Sequence, residues 1–274
     1  MRPINVCSSS GAEPVLADWL AQEPYTLVMS SGFFSFFAHC GLLAALEEAD
    51  LLPRAVAGSS AGALTGGLWA AGLCSGAIAE LYFSLRKDDF WDPAPGFGLL
   101  RGERFRALLR RASPISRLED CRRPARVSAF DLYRLRTRVL TSGDFADSVY
   151  ASCAVPLMFH PIRSHGGWLV DGGVADRSGL AATEPGQRVL HHHIANRSPW
   201  RARNAAAMRV PRRENLASLV IDGLPQPGPN ALSVGQQAWR AARQATRRAL
   251  AQPLNELSSR VKVEPCWLTE GAAC

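Results

Sequence analysis

The chain has 274 residues, a formal net charge of +7 and 47% hydrophobic side chains, which is enough apolar material to bury a substantial core. Its apolar stretches are all broken short of the roughly 20 residues that a membrane span requires, and no basic segment followed by an apolar core opens the sequence, so a cytoplasmic protein is expected. Seven cysteines are scattered and never form a Cys-x-x-Cys pair, which argues against a disulfide framework and against a zinc site.

The charge is concentrated late. Residues 188–262 hold 13 Lys and Arg against 3 Asp and Glu, so this third is either a solvated arginine-rich surface or a patch for peripheral contact with anionic membranes. No finger, basic zipper or aromatic-interleaved motif accompanies the charge, and nucleic acid is not an expected partner.

In chain order, residues 1–23 read as a loosely structured leader with a short helix over 15–21, and residues 24–274 as a single domain. Residues 25–29 are a β-favouring run ended by Ser30-Ser31-Gly32. Four aromatics follow in Phe33-Phe34-Ser35-Phe36-Phe37, and then Ala38, Leu42, Ala45, Leu46 and Ala49 recur at helical spacing. Ala55-Val56-Ala57 predicts a second strand and residues 61–71 a second helix. This alternation implies a parallel sheet with right-handed crossovers, in which ligands bind beyond the carboxyl ends of the strands.

Residues 75–86 continue as helix, and the aromatic, proline-rich connection over 88–98 is either a lid or a packed loop. Residues 103–111 form a basic amphipathic helix with Phe105, Leu108 and Leu109 on its apolar side. Strands are expected at 126–130 and 137–140, then a helix capped by Ser142-Gly143-Asp144 and stopped by Pro156. Short strands at 158–163 and 168–170 flank a His165-Gly166-Gly167 turn. The β-like run 188–194 contains His191-His192-His193; alternation sends His192 to the opposite face from the other two, with no acidic or cysteine partner nearby, so no metal is expected. A strand at 217–221, a rigid proline loop at 225–229 and a helix over 236–250 complete the chain. That helix mixes Trp239, Ala242, Ala245, Ala249 and Leu250 with arginines, and either packs on the core or lies on a membrane surface.

Gly58-Ser59-Ser60-Ala61-Gly62 is a Gly-x-Ser-x-Gly pattern at a strand-to-helix turn, the form of a nucleophile elbow. Gly58 and Gly62 permit close approach and strained torsions. Ser60 is lifted out at a helix N-terminus, where unpaired N–H groups favour developing negative charge, and is the candidate nucleophile. It needs a base. Asp171 follows a predicted strand, and Gly172 and Gly173 let a tight turn hold its carboxylate, so it is the candidate general base and acid. The ordinary aspartate pKa of about 3.9 is low for a base in water, so such a pair requires desolvation or a proton-sharing hydrogen bond.

From Leu27 to about Leu180 the pattern resembles the patatin-like phospholipase family. Two blocks carry the resemblance: Ala38-His39-Cys40-Gly41-Leu42 running into the Gly58–Gly62 elbow, and Ala151-Ser152-Cys153-Ala154-Val155-Pro156 leading to Asp171-Gly172-Gly173. The resemblance implies a three-layer α/β/α sandwich with a mainly parallel sheet. It implies a serine lipid acyl hydrolase of phospholipase A or lysophospholipase type, a Ser60–Asp171 dyad, a lipid or acyl-ester substrate, and neither metal nor organic cofactor. A third block departs. Where the family usually has Gly-Gly-Gly-x-Arg-Gly, this chain has Ser31-Gly32-Phe33-Phe34-Ser35-Phe36, with Ser35 in place of the arginine. The amides of Gly32 and Phe33 are the expected oxyanion hole, although positive φ is costly for a non-glycine residue. The aromatics either line an acyl-chain channel or pack under the sheet.

Three other readings share these residues. A catalytically weak or inactive member would bind lipid or act as a scaffold. A Ser–Asp–His esterase would draw a histidine from His191 to His193, in the α/β-hydrolase chain order. An acyltransferase would use the same serine chemistry with a different acceptor.

Overall fold

A computed structural model describes residues 14–195, 209–254 and 260–263, the last four as backbone. The opening 13 residues with Cys7, the arginines Arg197, Arg201 and Arg203 of the basic third, and Cys266 and Cys274 lie outside the described residues. In chain order the elements are α1 (Leu16–Gln22), β1 (Thr26–Met29), α2 (Phe36–Glu48), β2 (Ala55–Ser59), α3 (Ala61–Ala71), α4 (Ser75–Ser84), β3 (Gly98–Leu100) and α5 (Glu103–Ala112). Next come β4 (Ala125–Asp131), β5 (Arg136–Leu140), α6 (Phe145–Cys153), β6 (Leu157–Phe159), β7 (Ile162–Ser164) and β8 (Gly167–Asp171). Last are β9 (Val189–His193), β10 (Leu216–Ile221), α7 (Val234–Leu250) and β11 (Arg260–Val263).

β1 and β2 are buried along their whole length, as expected of strands covered on both faces. The sheet order is β11-β10-β9-β1-β2-β4-β8-β7, with β5 also on β4. From β11 to β4 every pairing is parallel, whereas β5, β8 and β7 are added antiparallel. Alternation along the strands divides the core. Leu27, Met29 and Val56 face a large apolar cluster shared with the helices. Val28, Ala57, Val189 and Leu216 face the opposite side, covered among the described residues by the short turn at Leu180–Ala182. The arrangement is the expected three-layer α/β/α sandwich with a mainly parallel sheet and unequal outer layers.

Four details depart from, or decide between, the readings above. In the segment read as a loosely structured leader, Leu16 and Leu20 of α1 are buried in the main core, and the Leu16 N–H donates to the Gln252 carbonyl at 2.9 Å. The strand expected over 158–163 is two strands, β6 and β7, divided at Pro161, which has no N–H for a ladder; β6 leaves the main sheet to pair with β3. The connection over 88–98 is a packed loop, with Phe90 against Phe34 and the Asp92 carboxylate accepting from the N–H groups of Gly102 and Arg104. Finally, α7 packs its alanine face, Ala238, Ala241, Ala242, Ala245 and Ala249, into the core against α2. That leaves no apolar face of α7 free to lie on a membrane. Among the described residues no helix is long and apolar enough to cross a membrane.

Candidate active site

The sheet itself brings the two candidate residues together. β5 occupies one edge of β4 along Val127–Asp131, so β2 and β8 share the other edge. β2 pairs with residues 125–128 and ends with Ser59 opposite Ser128, while β8 arrives from the other direction and ends with Asp171 opposite Ala129. Two strands thus meet head-on, and the residues at their ends are neighbours across 111 positions of sequence. The Ser60 Oγ donates to Asp171 Oδ2 at 2.6 Å.

The elbow at Ser60 is strained and tightly enclosed. Ser60 has φ 53° and ψ −119°, torsions that cost a non-glycine residue about 1–3 kcal/mol. A Cβ on Gly58 would lie 2.5 Å from the Gly62 carbonyl carbon, and one on Gly62 would lie 2.0 Å from the Met29 oxygen, so both positions require glycine for closeness of packing. Polar contacts hold the strained residue. Its N–H donates to Ser152 Oγ at 2.8 Å, and Ser152 Oγ donates in turn to the Ser128 carbonyl at 2.6 Å. The Cys153 thiol, pushed well above its ordinary pKa by burial, donates to the Ser60 carbonyl at 3.3 Å.

Asp171 is 6% exposed. Its Oδ1 accepts the Gly173 N–H at 2.7 Å, so the turn fixes one carboxylate oxygen and leaves Oδ2 directed at Ser60. A Cβ on Gly172 would meet the Ser128 oxygen at 2.2 Å, and one on Gly173 would meet Ser31 Oγ at 2.7 Å. The Asp-Gly-Gly sequence is therefore compressed between β4 and the turn after β1.

That turn contains Gly32 and Phe33, and their N–H groups donate to no acceptor among the described residues. The first-turn N–H of Ala61 lies in α3 ahead of any intrahelical acceptor. Gly32, Phe33, Ser60, Ala61 and Asp171 line one cavity. The steric cost anticipated for the turn falls at Phe34, whose φ is +55°; its ring packs on Phe33, Phe36 and Phe90. The preceding residues are clamped. Ser30 donates its N–H to His192 O at 3.2 Å, and its Oγ accepts the Ile194 N–H at 2.9 Å. Its carbonyl accepts from His39 Nε2 at 2.9 Å. Because that nitrogen must carry the proton, His39 Nδ1 is an acceptor, and the 2.9 Å contact with His192 Nδ1 makes His192 the donor. Burial holds both imidazoles neutral, lowering His39 to about 4 and His192 well below its ordinary value. The Ser31 N–H donates to the Arg177 carbonyl at 2.8 Å.

The cavity has a volume of about 530 Å³, within the range of small-molecule sites. Phe33, Phe34, Phe36, Phe90, Trp91 and Phe105 are among its walls, so three aromatics of the turn line the cavity while Phe37 packs into the core. Among the described residues the charged ones in its lining are Asp171 and Arg177, and no histidine lines it. Leu157, one of the lining residues, is 79% exposed, and the β3 segment that pairs with it carries Phe97 at 84% and Leu99 at 52% exposure. His191 to His193 are buried in β9, two strands from β2 with β1 between them. None of them is a partner of the Ser60 hydroxyl. Among the described residues no cluster of three potential metal ligands occurs.

Residues 27–183 match the patatin-like phospholipase family model. The chain belongs to the patatin-like phospholipase family. Its relatives include lysophospholipase nte1 of Emericella nidulans, 28% identical over 176 residues, which covers 61% of this chain and 11% of that protein. An uncharacterized NTE family protein of Mycobacterium tuberculosis is 30% identical over 154 residues, covering 55% of this chain and 42% of the relative. The chain thus spans roughly a tenth of the fungal relative and under half of the mycobacterial one. Among solved structures, VipD from Legionella pneumophila superposes with a TM-score of 0.59 at 15% identity, over 83% of this chain and 67% of that one; at that identity the likeness is one of fold.

Sequence reasoning missed the supports. Ser152 stands in a motif block, but no spacing reveals that its hydroxyl receives the elbow amide. His39, His192, Ile194 and Arg177 reach the turn after β1 from three separate elements, and only the folded chain brings them there.

Proposed function

We propose that this member of the family is a serine lipid acyl hydrolase working through a Ser60–Asp171 dyad. The observation that carries the proposal is the 2.6 Å hydrogen bond from Ser60 Oγ to Asp171 Oδ2 at the wall of an apolar cavity. Asp171 takes the hydroxyl proton as Ser60 Oγ bonds to the ester carbonyl carbon, and returns it to the departing alkoxide; a water attacks the acyl-enzyme by the same route in reverse. The short bond and the 6% exposure of Asp171 support the reading of its carboxylate as base. The N–H groups of Gly32 and Phe33 stabilise the tetrahedral oxyanion, without cost of reorganisation because the turn is already clamped.

The walls favour a lipid acyl chain, since aromatic and aliphatic side chains make up most of the lining. Exposed Leu157 at the cavity and Phe97 and Leu99 on the paired β3 segment suit contact with a lipid surface. The relative in Emericella nidulans bears the name lysophospholipase, which makes a single-chain phospholipid the first substrate to try. Fatty-acid release from lysophospholipids, diacyl phospholipids and monoacylglycerols, with Ser60→Ala as control, tests the proposal. Release abolished by the substitution supports it, and release from none of the panel contradicts it.

A further inference from the structure

We propose that Arg177 is a positioning residue for this chemistry, supplying from a different part of the chain the positive charge that the oxyanion turn lacks at Ser35. The inference rests on the dyad reading above. The turn carries no cation of its own, since Ser31-Gly32-Phe33-Phe34-Ser35-Phe36 is uncharged throughout. Arg177 holds that turn on both sides. Its main-chain carbonyl accepts the Ser31 N–H at 2.8 Å, and its Nη2 donates to the Ile194 carbonyl at 3.0 Å. A Cβ on Gly32 would meet Ser35 Oγ at 2.4 Å and Ile194 Cγ2 at 3.1 Å, so Ile194 is one of the walls of Gly32, and the Ile194 N–H donates to Ser30 Oγ. The guanidinium is therefore fixed beside the strand of residues that bounds Gly32, and the side chain lines the same cavity as Ser60 and Asp171.

Location and burial give this charge its effect. Arg177 is 7% exposed, and its charge is permanent. A fixed positive charge in a low-dielectric site stabilises negative charge developing nearby much more than the same charge in water. Acylation moves negative charge from the Asp171 carboxylate to the carbonyl oxygen, and a cation held on the Gly32 side of the cavity favours the second location, so its effect falls in the transition state and in kcat. A cation arriving six residues after Asp171, on the far side of the Asp-Gly-Gly turn, replaces one that would have come from the turn itself.

The test compares purified Arg177→Gln and Arg177→Lys with the wild type on a monoacylglycerol and a lysophosphatidylglycerol, together with the rate at which a fluorophosphonate labels Ser60. Arg177→Gln is expected to lower kcat roughly tenfold or more on both esters, with KM changed less than about twofold, and to slow labelling in parallel, because phosphonylation also builds charge on oxygen. Arg177→Lys is expected to keep activity at low pH and lose it as pH rises, since a buried lysine sheds its proton below its ordinary pKa; the wild type lacks that limb. Wild-type kcat in Arg177→Gln overturns the proposal, as does a rise in KM confined to the phosphate-bearing ester, which would make Arg177 a head-group ligand. Should Arg177→Gln fail to fold, the pH profile of Arg177→Lys decides, and a profile parallel to the wild type overturns it. Failure of the dyad reading has a separate signature, labelling that persists in Ser60→Ala with Arg177 intact.

Discussion

The turns after β1 and β2 both lead a buried strand into a helix at the carboxyl end of the parallel strands, and each holds one non-glycine residue in the left-handed region, Phe34 at φ 55° and Ser60 at φ 53°. They are stabilised differently. The elbow after β2 is held mainly by steric interlock, with Gly62 seated on the Met29 carbonyl and Gly58 on Gly62 itself, and Ser152 and Cys153 add hydrogen bonds to Ser60. The turn after β1 is held by polar clamps on Ser30 and Ser31 from His39, His192, Ile194 and Arg177, and by aromatic packing around Phe34. A steric lock needs glycines at fixed spacing, so it is written locally. A polar clamp draws on remote elements, so its sequence can drift so long as its partners remain.

Removing the proposed base carries the largest expected effect. Asp171→Asn lowers hydrolysis by at least about a thousandfold, whereas His192→Asn leaves Ser60 with its partner and loses far less; steady-state kinetics on one ester measures both. Next comes the steric lock. Gly62→Ala places a methyl on the Met29 oxygen and destabilises the fold by about 3 kcal/mol, read as a shift in the denaturant midpoint. A loss below about 0.5 kcal/mol would show that the elbow is looser than its contacts imply. Ser152→Ala leaves the Ser60 N–H without its acceptor, at a cost of about 1–3 kcal/mol, and lowers kcat with little change in KM.

The polar clamp has a pH signature that the steric lock lacks. His39 is lowered to about 4 and His192 well below its ordinary value, each by burial, against an ordinary value near 6.5. The unfolded chain therefore binds more protons than the folded one below about pH 6.5, so the stability is complete above that pH and falls as the pH drops toward the folded values. The expected slope is about 1.4 kcal/mol per pH unit for each such histidine. Denaturant titrations over that window check it, and His39→Gln should make the slope shallower.

The same contrast explains what was legible in the sequence. Ser60 and Asp171 could be named because Gly-x-Ser-x-Gly and Asp-Gly-Gly are local patterns whose glycines answer to contacts the fold must make. The parallel order from β1 to α3 followed from alternating apolar runs, and Leu27, Met29 and Val56 do face the helices. The end-to-end meeting of β2 and β8 on one edge of β4 was not legible, since it depends on β5 taking the other edge. Nor was the burial of Leu16 and Leu20, because the short α1 earns its place from contacts with Gln252 and the main core rather than from its own periodicity. Phe34, Ser35 and Phe36 read as a departure from the family pattern, and the residues that clamp this turn lie as far away as Arg177 and Ile194.

The most direct test of the dyad is mass-spectrometric identification of the residue modified by a fluorophosphonate in wild type, Ser60→Ala and Asp171→Asn. The account predicts one adduct, on Ser60, absent in Ser60→Ala and formed far more slowly in Asp171→Asn. An adduct on another residue, or one formed at the wild-type rate without the Asp171 carboxylate, would contradict it.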